Sequence, residues 1–204
     1  MKSSLNITVP LQQDLEKRFE FINDKTLRTN IALTFKYIIF LINLEDEYEL
    51  PGTILYSIYK DIILYTAIVI ESCVHRCLNQ FISNGKVKES TILPSGWKYK
   101  NCKELYRISK QEAVVGAIRN KSNEKFSANT QFQTLNKAAL KASIFNKDLY
   151  EKADAHRKQR NYIHLAALKE IDDLYGKEDI QEAFNYAEVI IKQMEDKLSE
   201  LTDR

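Results

Sequence analysis

The sequence predicts an all-α fold, a bundle of six or seven helices that forms one domain over residues 1–204. Its composition, 44% hydrophobic and 28% charged, is that of a globular protein rather than a disordered one. Only five Gly and three Pro occur in 204 residues, which favours long helices with short connections. Apolar residues also recur at three- and four-residue steps along most of the chain, the spacing of one helical face.

Three helices are predicted in the first part of the chain. Leu11 to Asn23 keeps helical spacing of its apolar residues, and Thr26 to Leu44 has an apolar run too long for a strand. An acidic loop closed by Pro51-Gly52 follows. Thr53 to Ser83 is the longest predicted helix, and because it is apolar on most faces we expect it at the centre of the bundle.

Residues 86–129 are predicted to be a basic and less regular insertion within the domain. Ten Lys and Arg stand against four Glu between Lys86 and Lys125, a local net charge of +6 in a chain whose total is only +2. Such a segment can attract a polyanion, although an ordinary Lys-rich surface has the same composition. Asn101 and Glu104 have the spacing of a capping box, which predicts a helix from Asn101 to about Arg119. A polar connection is expected over residues 120–129.

Three further helices are predicted in the last part of the chain. Thr130 to Phe145 forms the first, and Asn146 is placed to cap the next. Neither Pro nor Gly interrupts Lys147 to Tyr175, so this stretch can be one helix that Gly176 ends. Asp179 to Leu201 is the last helix.

Trp97, Lys98 and Lys100 are candidate RNA contacts in the basic segment. A basic loop that carries aromatic residues can stack bases and hold phosphates. The alternative is that Trp97 anchors the loop onto the core, which is the more common role of a lone Trp.

The cysteine content and the hydropathy predict a cytoplasmic protein that does not cross a membrane. Three cysteines without a framework spacing are typical of a reduced, intracellular protein. The N-terminal residues MKSSLNITVP lack the apolar segment of a signal peptide. Lys36, Lys60, Asp61 and Glu71 interrupt the long apolar stretches, which argues against a run of ~20 apolar residues that could span a bilayer.

No metal site and no cofactor are predicted. Cys73 and Cys77 share a helical face, but His75 lies ~200° around the helix from Cys73, so the three residues are not grouped as zinc ligands. We interpret the two cysteines as core residues. The glycines are too scattered to form a phosphate-binding loop, and neither an HExxH sequence nor a Gly-flanked serine nucleophile occurs.

The candidate site lies in the stretch Asp154 to Glu170, which reads DAHRKQRNYIHLAALKE. Arg157 and His164 are seven residues apart, so in a helix they fall within ~20° of one angular position and ~10.5 Å apart along the axis. Arg160 and Asn161 lie on the same side. Guanidinium groups can hold a phosphate and an imidazole can transfer a proton near neutral pH. The alternative is a solvated face or a buried hydrogen-bonded patch.

Three further residues are candidates around this face. Glu71 is a carboxylate within an apolar run and needs a partner, for which an Arg of the Arg157 helix is suitable; otherwise Glu71 lies at the rim of the bundle. His156 is ~80° around the helix from His164, so it is placed to border the same cleft. Tyr162 is a weaker candidate.

The segment HRKQRNYIHL resembles the HEPN superfamily of small all-α domains. The superfamily signature is an Arg, four to six residues of any type, and a His, often with a polar residue near the Arg. Arg157 and His164 match it with six intervening residues, and the sequence RNYIH is similar to many members in which a second Arg precedes Asn. The long helix that carries Glu71 also resembles an earlier helix of these bundles. The resemblance implies a HEPN-like helical bundle that commonly dimerises.

The resemblance also implies a metal-independent endoribonuclease, often one that acts as a toxin or in antiviral defence. The expected partners are RNA, a second copy of the chain, and an antitoxin or defence-system protein. His164 is then the general acid or base, Arg157 the main phosphate contact, Arg160 an assisting cation, and Asn161 an orienting residue. Two chains supply two copies of His164, and the product is a 2′,3′-cyclic phosphate.

Two alternatives stay open at this point. The first is a non-catalytic HEPN-like module that binds a nucleotide, an RNA or a protein through the same cationic face. The second is a structural helical protein in which Glu71 and Asp154 pair with Arg157 and His164.

Overall fold

Helices dominate the computed structural model, which describes residues 7–161 and 175–202. The described residues contain seven helices and one two-stranded sheet, so the fold is predominantly α-helical, as predicted. The elements in chain order are α1 Gln12–Arg18, α2 Lys25–Glu47, α3 Gly52–Ser83, α4 Glu89–Ile92, β1 Ser95–Arg107, β2 Ala113–Asn123, α5 Phe132–Lys141, α6 Lys147–Asn161 and α7 Lys177–Thr202.

Helix α3 is the centre of the bundle, as its apolar faces predict. It contacts α2, α5, α6 and α7, and Ile62, Ile70 and Leu78 have no exposed surface. The last helix contributes Ile190 and Met194 to the same core. Each such side chain stabilises the fold by roughly 1.5–3 kcal/mol through removal of its apolar surface from water.

The helix ends follow from local side-chain chemistry. Asp24 accepts a hydrogen bond from the backbone N–H of Leu27 at 3.0 Å and so caps α2. Asn146 likewise accepts from the backbone N–H of Leu149 at 2.8 Å at the start of α6, as the sequence predicts. Gly85, with φ of 68°, follows α3 in the left-handed conformation that glycine adopts without strain.

The predicted acidic loop after the second helix is wrong at its start, because α2 continues to Glu47. The side chain of Glu45 explains the extension. It accepts a hydrogen bond from the Tyr59 hydroxyl of α3 at 2.8 Å and pairs with Lys177 of α7 at 2.6 Å. These contacts fix the last turn of α2 on the bundle.

The predicted helix from Asn101 to Arg119 is also wrong, because a β-hairpin occupies this region. Strands β1 and β2 pair antiparallel from Ser95 opposite Asn123 to Arg107 opposite Ala113. Asn101 has a φ of 53° and lies in an interruption of the register rather than at a helix N-cap. The β-branched and aromatic residues of both strands favour an extended backbone, and pairing between the strands outweighs the local capping signal.

The hairpin is exposed on both sides. Every residue of β1 is exposed, and β2 is exposed over almost all of its length. A two-stranded ribbon is only marginally stable on its own in water, so an exposed ribbon with large apolar side chains is a candidate for contact with another molecule. The predicted polar connection shortens to residues 124–131, since β2 continues to Asn123.

Helices α2 and α3 are each long and apolar enough to cross a membrane, as judged by length and composition. The charged residues that interrupt these helices are too few to exclude a membrane span by length and composition. Within its apolar window, α3 has 44% of its residues buried inside the protein and α2 has 22%. A central core helix such as α3 has the same length and hydropathy as a membrane-spanning helix.

Candidate functional site

The first cation of the predicted face, Arg157, is held within its own helix. Its Nε donates to Oδ1 of Asp154 at 2.6 Å, and Lys158 lies 3.1 Å from the other carboxylate oxygen. The side chains of Arg157 and Asp154 are 17% and 16% exposed. The hydrogen bond from Arg157 holds the pKa of the Asp154 carboxyl below its ordinary value. Arg157 is thus a positioned cation whose charge is partly balanced.

The second cation, Arg160, joins α6 to the central helix. Its Nη1 donates to Oε2 of Glu71 at 2.7 Å, which is the ion pair expected for Glu71. Burial raises the pKa of Glu71, and the Arg160 charge and hydrogen bond counteract part of that shift. Arg160 keeps 36% of its side chain exposed and Glu71 keeps 21%, so the pair lies at the surface of a cleft rather than in the core.

Both guanidinium groups and Asn161 line one cleft of about 660 Å³. The opposite wall is the segment that leads into α5, and Glu71 forms part of the floor. The structure therefore brings together four of the predicted site residues, namely Glu71, Arg157, Arg160 and Asn161. A cleft lined by two guanidinium groups, four side-chain amides and one carboxylate is suited to bind an anion such as a phosphate.

A second cavity of about 440 Å³ adjoins the first and shares Glu71, Ala128 and Thr130 with it. His75 and Arg76 of α3 line this part. The sequence pattern around His75 suggests only a metal ligand. His75 follows Glu71 by four residues, however, so both side chains lie on one face of α3. This spacing is the sequence signal that could have placed His75 near the site.

Two of the predicted residues, His164 and Tyr162, lie outside the described residues. The prediction that His156 borders the cleft is wrong, because this side chain is fully buried. Its ring packs edge-on against Tyr186 of α7 at a centroid distance of 6.0 Å. Burial lowers the pKa of His156 to about 4, so it is neutral at pH 7 and has no access to a substrate.

Cys73 and Cys77 are buried core residues, as predicted. Burial raises the pKa of each thiol to about 12, so neither thiolate forms near neutral pH. Among residues 7–161 and 175–202, no group of three or more His, Cys, Asp or Glu side chains is placed to hold a metal ion.

The predicted RNA contacts Trp97, Lys98 and Lys100 lie on the hairpin, on opposite faces of it. Trp97 and Tyr99 are on one face with Arg119, whose Cζ is 4.5 Å from the centroid of the Trp97 ring and 5.9 Å from that of Tyr99. Lys98 and Lys100 point to the other face. Trp97 is 53% exposed, so the interpretation that it anchors a loop onto the core is wrong.

No known family model matches the chain, and no curated protein or solved structure is significantly similar to it. The resemblance to the HEPN superfamily therefore rests on the motif between Arg157 and His164 and on its helical setting.

Proposed function

We propose that the chain is a HEPN-like, metal-independent endoribonuclease that acts as a homodimer in the cytoplasm. The observation that supports this most is the convergence of Arg157, Arg160 and Asn161 on one cleft. A role as a toxin or in antiviral defence, with an antitoxin or defence-system protein as partner, follows from the resemblance alone.

The proposed reaction is attack of the RNA 2′-oxygen on the adjacent phosphorus. A base removes the 2′-hydroxyl proton, the P–O5′ bond breaks, and an acid protonates the leaving 5′-oxygen, which gives a 2′,3′-cyclic phosphate and a 5′-hydroxyl. Arg157 and Arg160 stabilise the charge on the phosphoryl oxygens, and Glu71 holds Arg160 in place. His164 transfers a proton, and a homodimer supplies one His164 from each chain.

Cleavage of RNA by the purified protein in EDTA tests the proposal. We expect 2′,3′-cyclic phosphate ends from the wild type and a loss of about 10²- to 10⁴-fold in His164→Ala, the usual contribution of a general acid or base. RNA affinity should change little, because the cations remain. Full activity of His164→Ala in a clean preparation would refute the assigned role.

A non-catalytic module that binds a nucleotide, an RNA or a protein is the second candidate. The observation that favours it is that Arg157 and Arg160 each already have a carboxylate partner, which lowers the net positive charge of the cleft. Such a module would show no cleavage in the wild type. It would lose anion binding mainly with Arg157→Ala and Arg160→Ala, while His164→Ala would leave binding intact.

We also propose that the hairpin contacts RNA with both of its faces. Between residues 95 and 123 it carries seven Lys and Arg against two Glu. One face presents Trp97 and Tyr99 with Arg119 between them, an arrangement on which bases can stack. The other face presents Lys98 and Lys100, which can neutralise phosphates.

Substitutions on the two faces should weaken RNA binding in different ways. Trp97→Ala should cost about 1–3 kcal/mol of binding free energy and leave the salt dependence unchanged, because stacking releases no counterions. Lys98→Ala combined with Lys100→Ala should lower the slope of log affinity against log salt by about 1.4, since each phosphate contact on a single strand contributes about 0.7. Fluorescence anisotropy at several salt concentrations measures both effects. Lys147→Ala, on the exposed start of α6, is the control, and equal slopes for all variants would contradict the assignment.

A further inference from the structure

His75 lies on the wall of the second cavity, and two contacts orient its ring. It follows Glu71 by four residues on α3, or about 6 Å along the helix axis, and lines the cavity that adjoins the Arg160 end. Its Nε2 lies 3.0 Å from the carbonyl oxygen of Ser127, and its ring packs on Phe126 at a centroid distance of 4.7 Å. Phe126 and Ser127, in the segment that faces α3, thus orient the imidazole through a ring contact and a hydrogen bond.

The contact with Ser127 determines which ring nitrogen is free. A backbone carbonyl only accepts hydrogen bonds, so Nε2 carries the proton that it donates to this oxygen. In the neutral imidazole, Nδ1 then has the lone pair. No side chain or backbone group of the described residues forms a hydrogen bond with Nδ1. In this tautomer Nδ1 of His75 can therefore accept a proton from a ligand.

Arg76, the next residue, has a guanidinium group that is not fully hydrogen-bonded. Its Nε is fully buried and has no hydrogen-bond partner, and no carboxylate of the described residues forms an ion pair with its guanidinium. The Arg76 side chain as a whole is only half-buried, so its unpaired charge can attract an anionic ligand in the cavity. Arg76 lines the same cavity as His75.

We propose that His75 is a second proton-transfer residue of the RNA cleft, with Arg76 beside it as an anion contact. The proposal rests on the ribonuclease function proposed above and names a residue that the Arg-His motif does not contain. The cleft of Arg160 and the cavity of His75 share Glu71, Ala128 and Thr130, so one RNA strand can pass from one to the other. One chain would then contribute a base from α3 in addition to the motif residues.

The chemical step balances without another reactant. Nδ1 of neutral His75 takes the proton of the 2′-hydroxyl, the 2′-oxygen forms the new bond to phosphorus, and the P–O5′ bond breaks. The leaving 5′-oxygen takes a proton from the acid of the site, so protons are conserved between base and acid. Arg76 and Arg160 face the negative charge on the phosphoryl oxygens.

His75→Gln is the informative variant, because the Gln amide can still donate to the Ser127 carbonyl but cannot take up a proton. We expect kcat to fall by about 10²- to 10⁴-fold while KM and RNA affinity change less than about threefold. Ser57→Ala is the matched control, because Ser57 is on the same helix but away from the cavity, and its hydroxyl bonds only to its own helix. It should retain wild-type rates.

Three results separate the inference from the proposed function. A His75→Gln rate within about threefold of an active wild type overturns the role of His75 and leaves the ribonuclease proposal intact. A wild type that cleaves no RNA overturns both. If His75→Gln unfolds at a lower temperature, His75→Ala assayed with added imidazole decides: recovery of activity supports proton transfer by this residue, and no recovery counts against it.

Discussion

Replacing Glu71 with Gln is expected to tighten RNA binding to the cleft, whereas replacing Arg160 with Gln is expected to remove most of the cleavage activity. Glu71 accepts a hydrogen bond from Arg160 at 2.7 Å and balances its charge. A glutamine side chain in its place would keep the shape and accept the same hydrogen bond without the negative charge, so Arg160 would attract a phosphate more strongly. Loss of the Arg160 cation should lower kcat/KM by about 10²- to 10³-fold, the usual effect of removing one charge-stabilising donor.

Titration of RNA against Glu71→Gln, Arg160→Gln and the double variant at several salt concentrations measures the effect. Glu71→Gln should bind RNA several-fold more tightly. The slope of log affinity against log salt should also steepen by up to about 0.7, the value for one further phosphate contact on a single strand. The double variant should bind as weakly as Arg160→Gln, because the gain depends on that guanidinium. Tighter binding by the double variant would show that Glu71 repels RNA without acting through Arg160.

The Glu71→Gln variant should fold as well as the wild type at neutral pH. Burial raises the folded-state pKa of this carboxyl above its ordinary value, even with Arg160 beside it. The folded state therefore binds more protons than the unfolded state as pH rises past the ordinary carboxyl pKa, and the free energy of unfolding falls over that window. Removing the charge should thus not destabilise the fold, so a change in RNA binding reports on the cleft.

Acidification from pH 7 to pH 4 is expected to destabilise the protein by up to about 3 kcal/mol through His156 alone. Burial lowers the folded-state pKa of His156 to about 4, whereas the unfolded residue titrates near its ordinary value of 6.5. Between these values the unfolded state binds more protons, so the free energy of unfolding falls as pH falls. Below about pH 4 this contribution levels off, because both states are then protonated.

Denaturant unfolding of the wild type and of His156→Phe between about pH 7.5 and pH 4 measures this effect. Phe keeps an aromatic ring against Tyr186 and cannot be protonated, so the variant should lose most of the pH dependence in this range. Ser57→Ala is the control: it removes no ionisable group and should leave the pH dependence as in the wild type. Identical pH profiles for wild type and His156→Phe would contradict the assignment of this dependence to His156.

The helical part of the fold is predictable because its signals are local. Apolar spacing identifies α2, α3 and α7, and Asn146 marks the start of α6. The carboxylate at position 71 in an apolar run predicts an ion pair, and the Arg-rich helix supplies the partner. These features depend on residue type and helical period, and both can be read from the sequence.

The hairpin shows where local signals fail. Asn101 and Glu104 have the spacing of a capping box, yet the chain from 95 to 123 forms two paired strands. Cross-strand pairing joins residues that are far apart in sequence, as Trp97 is from Lys121, and no local pattern reports it. The pairing also places Trp97 and Lys98 on opposite faces, so two adjacent candidate contacts do not form one surface.

The sequence by itself determined the helical class, the central place of α3 and the grouping of cations on α6. Only the tertiary structure decided which polar residues reach the cleft. Helical spacing places His156 near the predicted site, but packing of α7 on α6 buries it. His75 lines the adjoining cavity because the segment before α5 crosses α3 beside it. The physical reason is that a helical face is set by its own residues, whereas its exposure is set by the element that packs against it.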